Sequence, residues 1–567
     1  MFVLEKWIEG VTDAERAELT SIIDKPDQIK ERFGTELEFG TAGMRGILRL
    51  GTAGMNAYTV KRATKGLADY LEASAKDPKV VIAYDTRRCS REFAAEAAGV
   101  LGAKGIKVYL FEDVRPVPIC SFAVRYIGAN AGIMITASHN PKEYNGYKVY
   151  GADGAQMSPE DTAAVVSYIK QNDYFGIPCT EVPADFKEGD KYGTIEVIGS
   201  AVDEQYFREL DKILLSKDIV AERGKDIKLV YTPVHGSGYM PVTTMFTRLG
   251  IQANVVAEQI APDPDFSTVK VPNPENKETL RMGIELGKQI GADVVLGTDP
   301  DSDRLGVALR LDNGEFVSLS GNQIGILLMD YIIMRRKELG ILPANAAVVK
   351  TIVTSTLADR LAEANGVTVF NVLTGFKFIG EKIKEWEASG EYTYIFGFEE
   401  SYGSLAGTYA RDKDAVAAAV MFAEMMLYLE SRGLSVYKRL KAIYSEYGYY
   451  VESNSSVQYS GAEAMKEMSA VMAKLRTENV AELAGIPVIA VKDYLNGTVK
   501  SAAGIGETGL PKSDVMYYEL PDKQFVVFRP SGTEPKLKLY VSVFAKGEAT
   551  ATEKAEKVAA AAKELLK

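Results

Sequence analysis

Three times along this chain a short apolar run of β-favouring residues ends abruptly in a polar loop. IMIT (133–136) leads into Ala-Ser-His-Asn, VVLG (294–297) into Thr-Asp-Pro-Asp, and YIFG (394–397) into Phe-Glu-Glu-Ser. Such runs read as buried strands, and the stretches between them carry helical periodicity. VVIAYD (80–85) is one more strand, Ser90 to Ala103 follows as a helix with Ser90 as its N-cap and Glu92 in its first turn, and IKVYLFED (106–113) is the next strand. This alternation predicts α/β layers with largely parallel sheets. Ligands in such sheets bind beyond the carboxyl ends of the strands. Three polar strand-end loops therefore predict three related α/β domains facing a shared cleft.

A chain of 567 residues is too long for one core, since domains of about 100–200 residues suggest about three to five units. The closing region reads differently from the rest. GIPVIAVKDYLNG, VMYYELPDKQFVVFRP and KLKLYVSVFA are strands joined by turns, and Ala549 to Leu566 is a final helix, which together make an α+β unit. The expected division is 1–200, 201–318, 319–445 and 446–567, with Asp173 to Tyr192 as a surface loop region.

Several function classes are excluded. The net charge of −11 repels nucleic acid and anionic membrane, so a phosphorylated substrate requires a local basic pocket. MFVLEKWIEG places Glu5 and Lys6 inside any would-be apolar segment and reads as neither signal peptide nor anchor. No apolar run approaches the ~20 residues that span a bilayer. The three cysteines, Cys89, Cys120 and Cys179, suit neither a zinc site nor a disulfide framework, and a reducing, cytoplasmic compartment is expected.

The polar loops carry the chemistry. In Thr298-Asp299-Pro300-Asp301-Ser302-Asp303-Arg304 the carboxylates fall at i, i+2 and i+4, a spacing that extended backbone turns to one side. Hard oxygen ligands favour Mg²⁺ or Ca²⁺, but Arg304 and Arg310 stand where a calcium loop needs Gly and Glu. Ser138 precedes His139, one of only two histidines. No G-x-S-x-G elbow exists to make it a hydrolase nucleophile, and such a serine alone is usually a turn or cap residue. Lys148 follows the turn signal Asn145-Gly146 and can return on a hairpin toward the serine. RPSGTEPK (529–536) combines the planar fork of Arg529 with the hydroxyls and free N–H groups of Ser531, Gly532 and Thr533, the ingredients of an anion nest. FGFEESYG (396–403) offers carboxylates to vicinal hydroxyls but reads equally as an acidic surface loop, and FGTAGMRG (39–46) is a second Gly-rich loop with one arginine. Gly504 to Gly509 matches G-x-G-x-x-G but lacks its strand-to-helix context, there is no Walker A sequence, and His235 in TPVHGSG is read as shaping its loop.

TASHNP, DPDSDR, GFEES and RPSGTEPK, in that order, resemble the four signatures of the α-D-phosphohexomutase superfamily: its phosphoserine, magnesium, sugar and phosphate loops. FGTAGMRG and PNPENKETL (272–280) are most similar to the branch holding bacterial phosphoglucomutases, phosphopentomutase and glucose-1,6-bisphosphate synthase. The resemblance implies four domains around a central cleft, three of them similar α/β units with mixed sheets and the fourth a C-terminal α+β domain. It implies a phosphoserine at Ser138 and one Mg²⁺ held by Asp299, Asp301 and Asp303 together with Ser138. Arg45 and Arg304 are then expected near the transferring phosphate, with Lys148 as general acid/base and His139 in the same catalytic group. Glu399 and Ser401 are expected on sugar hydroxyls. Arg529, Ser531, Gly532, Thr533 and Lys413 are expected on the distal phosphate. The chain departs from some relatives in TGFKFIG (374–380), where Phe376 and Lys377 exclude a histidine base; Thr374 and Gly375 remain candidates for reading the sugar face.

The implied activity interconverts glucose 1-phosphate and glucose 6-phosphate, primed by glucose 1,6-bisphosphate, with mannose phosphates also in range. Phosphopentomutase is the alternative within the family. A metal-dependent phosphatase or a non-catalytic phosphosugar-binding protein are the alternatives outside it. The expected partner is a small phosphosugar, with no nucleic acid and no membrane; the sequence leaves the oligomeric state open, a monomer included.

Overall fold

The computed structural model describes residues 2–40, 43–460, 463–531 and 536–566. It divides into two compact units: Met1–Ile324 with Ile379–Gly390 and Ser401–Arg432, and Gly325–Phe378 with Glu391–Glu400 and Gly433–Lys567.

The first unit contains two mixed sheets. One has the strand order Met44–Ile47, Tyr144–Gly151, Ala131–Ile135, Lys79–Tyr84, Lys107–Phe111, Ile195–Ile198, Lys191–Tyr192. Its four central strands, from Ala131–Ile135 to Ile195–Ile198, are parallel. Val80, Val81, Ile82, Ile133, Met134 and Ile135 are all fully buried, as expected for strands covered on both faces. The other sheet runs Phe316–Ser318, Leu305–Arg310, Val294–Thr298, Leu229–Thr232, Ala253–Val255, with the last three parallel and the first two antiparallel. The N-terminal helices Phe2–Gly10, Asp13–Thr20 and Pro26–Phe33 add a small core of their own. Its centre is Trp7, which meets Phe33, Tyr58, Tyr174 and Phe175 at ring-centroid distances of 5.2–5.7 Å. Each such pair contributes about 0.5–1.5 kcal/mol beyond its burial.

In the second unit, Ala346–Thr351 lies between the parallel strands Thr368–Val372 and Thr393–Phe398. A seven-stranded antiparallel sheet, from Tyr449–Gln458 to Gly504–Glu507, packs with the helices Ala464–Thr477 and Glu548–Glu564. The G-x-G-x-x-G match opens as the exposed edge strand Gly504–Glu507, away from any helix start. The fold is α/β: three α/β regions followed by an α+β region with an antiparallel sheet.

Two local expectations are corrected. The helix Ser90–Ala103 is preceded by Cys89 in a left-handed conformation (φ 62°), and Ser90 is a helical residue. Its hydroxyl donates to Asp85 at 2.7 Å instead of capping the helix. Asn145-Gly146 is no turn but lies inside the strand Tyr144–Gly151. Asn145 donates to the Arg88 carbonyl and to Ser90 Oγ, and Gly146 pairs with Arg45. Pairing on both sides of this strand overrides the local turn preference, and the Ser138 loop becomes the hairpin connection.

Candidate active site

The antiparallel pairing of Ala131–Ile135 with Tyr144–Gly151 creates the Ser138 loop and sets Lys148 opposite Met134. Ser138 is buried and left-handed, with φ at 52°. A non-glycine residue in that region costs of order 1–3 kcal/mol and persists only where its surroundings hold it. Here the Ser138 amide donates to Thr136 Oγ1 at 2.8 Å. Ser138 Oγ donates to Asp299 Oδ2 at 3.0 Å and lies 3.1 Å from His139 Nδ1. Burial, then Arg304, Arg45, Lys148 and Arg87, push the His139 imidazole well below its usual pKa, which leaves it neutral at pH 7.

Asp299, Asp301 and Asp303 are buried, and each offers a carboxylate oxygen within 4.8 Å of the others, the only such group among the described residues. Their convergence comes from a tight turn, not from extended backbone. The Ser302 amide donates to the Asp299 carbonyl, Ser302 is left-handed (φ 51°), and the amides of Asp303 and Arg304 both donate to Asp299 Oδ1 at 3.1 Å. The loop TPVHGSG braces this turn. Ser237 donates to the Pro300 carbonyl through both N and Oγ at 2.8 Å, and Gly236 lies so close that a Cβ would stand 2.5 Å from Pro300 Cα. His235, held by the Ala261 carbonyl and Thr268 Oγ1, fixes that loop from behind.

Crowded carboxylates require cations. Lys148 Nζ donates to Asp301 Oδ2 at 2.8 Å, and Lys413 Nζ stands 3.1 Å from Asp303 Oδ2. Burial, reinforced by Asp301 and Asp303, holds the Asp299 carboxyl well above the usual carboxylate range. Burial opposes ionisation of Asp303 as well, but Lys413, Lys148 and Arg304 outweigh it and lower that carboxyl. Even so, Asp301 Oδ1 and Asp303 Oδ1 are buried with no hydrogen-bond donor. Two orphaned anionic oxygens within a buried all-oxygen cluster fit a hard divalent cation. Lys413, expected on a distal phosphate, is paired here with Asp303 and Asp412; the buried triad demands countercharge, and this lysine supplies it.

Arg304 Nη1 donates to Glu275 Oε1 at 2.7 Å, and its Nε lies 3.7 Å from Asp303. Arg45 is exposed and donates to Asn140 Oδ1 at 2.7 Å. Gly43, at φ 78°, brings its loop against the Lys148 strand so closely that a Cβ would stand 1.9 Å from the Tyr147 carbonyl oxygen. Ser401 belongs to this same unit.

In the second unit, Glu399 directly follows the strand Thr393–Phe398 and accepts from the Gly375 amide at 3.0 Å. Thr374 Oγ1, in the same loop, is buried without a hydrogen-bond partner. Arg529 stands on the strand Gln524–Pro530, and the Ser531 amide donates to the Lys536 carbonyl at 2.7 Å. Gly532 and Thr533 lie outside the described residues.

Three domain models of phosphoglucomutase/phosphomannomutase, α/β/α domains I, II and III, match residues 36–175, 204–312 and 320–447. The chain belongs to the phosphoglucomutase/phosphomannomutase family. It is thus a member of the α-D-phosphohexomutase superfamily. It is 39% identical over 522 residues to a phosphoglucomutase of Staphylococcus epidermidis, covering 91% of this chain and 92% of the relative. It is 37% identical over 547 residues to one of Staphylococcus aureus, covering 95% of each. A phosphoglucomutase/phosphomannomutase family protein from Burkholderia thailandensis shares the fold at TM-score 0.65 and 19% identity, covering 93% of this chain and 97% of that one. The open form of the Paramecium phosphoprotein pp63/parafusin does so at TM-score 0.67 and 17% identity, covering 94% and 95%.

The motifs TASHNP and PNPENKETL contain Thr136 and Glu275 without giving either a role, and no family motif covers Asp85 or Arg87. Asp85 and Arg87 follow the strand Lys79–Tyr84, where the same strand-end rule points.

Proposed function

We propose that this chain is a phosphoglucomutase that interconverts glucose 1-phosphate and glucose 6-phosphate through a phosphorylated Ser138. The observation that carries this reading is the buried Ser138 hydroxyl, held 3.0 Å from Asp299 in a three-carboxylate cluster. A chain 37–40% identical to several phosphoglucomutases over nearly its whole length supports the substrate assignment.

Phospho-Ser138 transfers its phosphoryl group to the free hydroxyl of the sugar monophosphate. The P–O bond to Ser138 breaks as the P–O bond to the sugar forms. The serine oxygen takes up a proton and the sugar hydroxyl gives one up. The product, glucose 1,6-bisphosphate, turns over and returns its other phosphoryl group to Ser138. Phosphoryl transfer of this kind requires alignment and charge neutralisation more than covalent assistance. Asp299, Asp301 and Asp303 would hold Mg²⁺, which when bound neutralises charge on phosphoryl oxygens. Lys148, whose ammonium reaches Asp301, is the candidate proton carrier, and neutral His139 is a hydrogen-bond partner of the Ser138 oxygen. Arg45 and Arg304 supply positive charge at the mouth of this centre. Glu399, Thr374, Gly375 and Ser401 are proposed to read sugar hydroxyls, and Arg529, Ser531, Gly532 and Thr533 to hold the phosphate that is not transferred. The four-domain division at residues 200, 318 and 445 and a cytoplasmic setting complete the proposal.

Initial rates on glucose 1-phosphate, mannose 1-phosphate and ribose 1-phosphate, with Mg²⁺ and a trace of the cognate bisphosphate, test it. Glucose 1-phosphate is expected to be fastest, with Ser138→Ala lowering the rate by at least ~10⁴-fold. Ribose 1-phosphate fastest would make the enzyme a pentomutase, and turnover surviving in Ser138→Ala would remove the serine from the mechanism.

A further inference from the structure

Arg87 is a buried cation, 3% exposed, with no part in the transfer steps just described. Its guanidinium is almost wholly occupied with backbone. Nη2 donates to the carbonyls of Ser138 at 2.6 Å and Asn140 at 2.5 Å. Nη1 donates to those of Pro141 at 2.9 Å and Tyr144 at 3.0 Å. Four carbonyls of one loop thus converge on one planar fork, an arrangement a lysine cannot reproduce.

The fork is itself held in place. Its Nε lies 3.4 Å from Asp85 Oδ2, and the Phe266 ring covers it with its centroid 5.0 Å from Cζ. Phe266 is buried and left-handed (φ 48°), so strained backbone is maintained on both sides of the guanidinium, at Ser138 and at Phe266. Asp85 extends the brace. It accepts from Thr136 Oγ1 at 2.6 Å, and Thr136 Oγ1 in turn accepts the Ser138 amide and lies 3.3 Å from Asp301 Oδ2.

We infer that Arg87, stacked on Phe266, is the positioning residue that holds Ser138 in its left-handed turn and aims Oγ at Asp299. The inference rests on the reading of Ser138 as the phosphoryl carrier. Arg87 contacts the loop carbonyls and acts through the placement of one oxygen. A shift of about 1 Å in a reacting atom costs ~10²-fold in rate while leaving substrate affinity nearly untouched.

The test compares full-length wild type, Arg87→Lys and Phe266→Leu. Three quantities are measured: kcat and KM for glucose 1-phosphate, uptake of labelled phosphoryl onto the protein from glucose 1,6-bisphosphate, and amide exchange across residues 136–144. Arg87→Lys is expected to lower kcat and the uptake rate ~100-fold, with KM within about twofold and faster exchange confined to the loop. Phe266→Leu keeps the fork and removes only its ring cover, so an approximately 3–10-fold loss in kcat at unchanged KM is expected. If Arg87→Lys fails to fold, Phe266→Leu decides. Wild-type kcat in Phe266→Leu, or a loss shared equally between kcat and KM in either variant, would overturn the positioning role. Absence of phosphoryl uptake onto Ser138 in the wild type would instead overturn the functional reading, and the loop-exchange comparison would still judge the Arg87–Phe266 brace.

Discussion

At the Ser138 centre, Ser138, Lys148, Asp299, Asp301, Asp303 and Lys413 are all buried. In the second unit, Glu399 is buried, but Thr374, Gly375, Arg529 and Ser531 are partly exposed. The first group is braced by the Thr136, Asp85, Arg87 and Ser237 contacts, and two of its backbones, Ser138 and Ser302, are left-handed without being glycine. The second rests on strand ends and a loop built around Gly375 at φ 124°. The contrast suits the two demands of the proposed reaction. Moving a phosphoryl group requires fixed charges in a dry environment. Recognising a bisphosphate in either of two orientations requires groups that can adapt.

The largest expected effect falls on the rigid side. Chelating divalent cations, or Asp301→Asn, should lower the mutase rate by at least ~10³-fold. Added Mg²⁺ should raise the melting temperature of wild type but not of the variant, which lacks one of the three proposed ligands. A variant that keeps both its rate and its thermal shift would break the comparison. A smaller effect is expected on the adaptable side. Arg529→Gln removes one charged hydrogen-bonding fork, a loss of about 1.5–3 kcal/mol, and should raise KM by roughly 10–100-fold with a lesser change in kcat. Steady-state kinetics on glucose 1-phosphate separates the two constants; a fall confined to kcat would place Arg529 with the transfer machinery.

The smallest effect concerns Glu452, on the strand Tyr449–Gln458. Burial raises its carboxyl to about 7, against the opposing hydrogen bond from Ser355 and the charge of Lys350. An acid whose folded pKa exceeds its unfolded value binds its proton more tightly when folded. Its stabilising contribution is full below about 4.5 and is lost as pH rises through about 7. The side chain retains some solvent contact, so the loss is on the order of 1–2 kcal/mol. Glu452→Gln should flatten this slope in denaturant unfolding measured between pH 5 and pH 8. An unchanged slope would assign the pH dependence elsewhere.

The strand-end loops were legible because their chemistry is local. An acidic run after an apolar strand, or a Ser-His-Asn-Pro turn, shows its donors within a few residues. The same locality misled at Asn145-Gly146 and Ser90. Each has the composition of a turn or cap, and each found a better partner: Arg45, far away in sequence, lies opposite Gly146 in the sheet, and Asp85, on the preceding strand end, takes the Ser90 hydroxyl. Lys413 was singled out by the family resemblance for a distal phosphate, but its partner, Asp303, lies more than a hundred residues away and follows from the burial of three carboxylates together.

The α/β pattern, the acidic triad, the serine and the loop order were determined by the sequence, because periodicity and residue chemistry are properties of short segments. Which cation meets which carboxylate, and that Arg87 ties Ser138 to the ring of Phe266, was decided only by the tertiary structure. Such contacts join residues 51 to more than 160 positions apart, as in Arg87–Ser138 and Ser138–Asp299. No short window of sequence contains both partners, and burial makes their pairing compulsory.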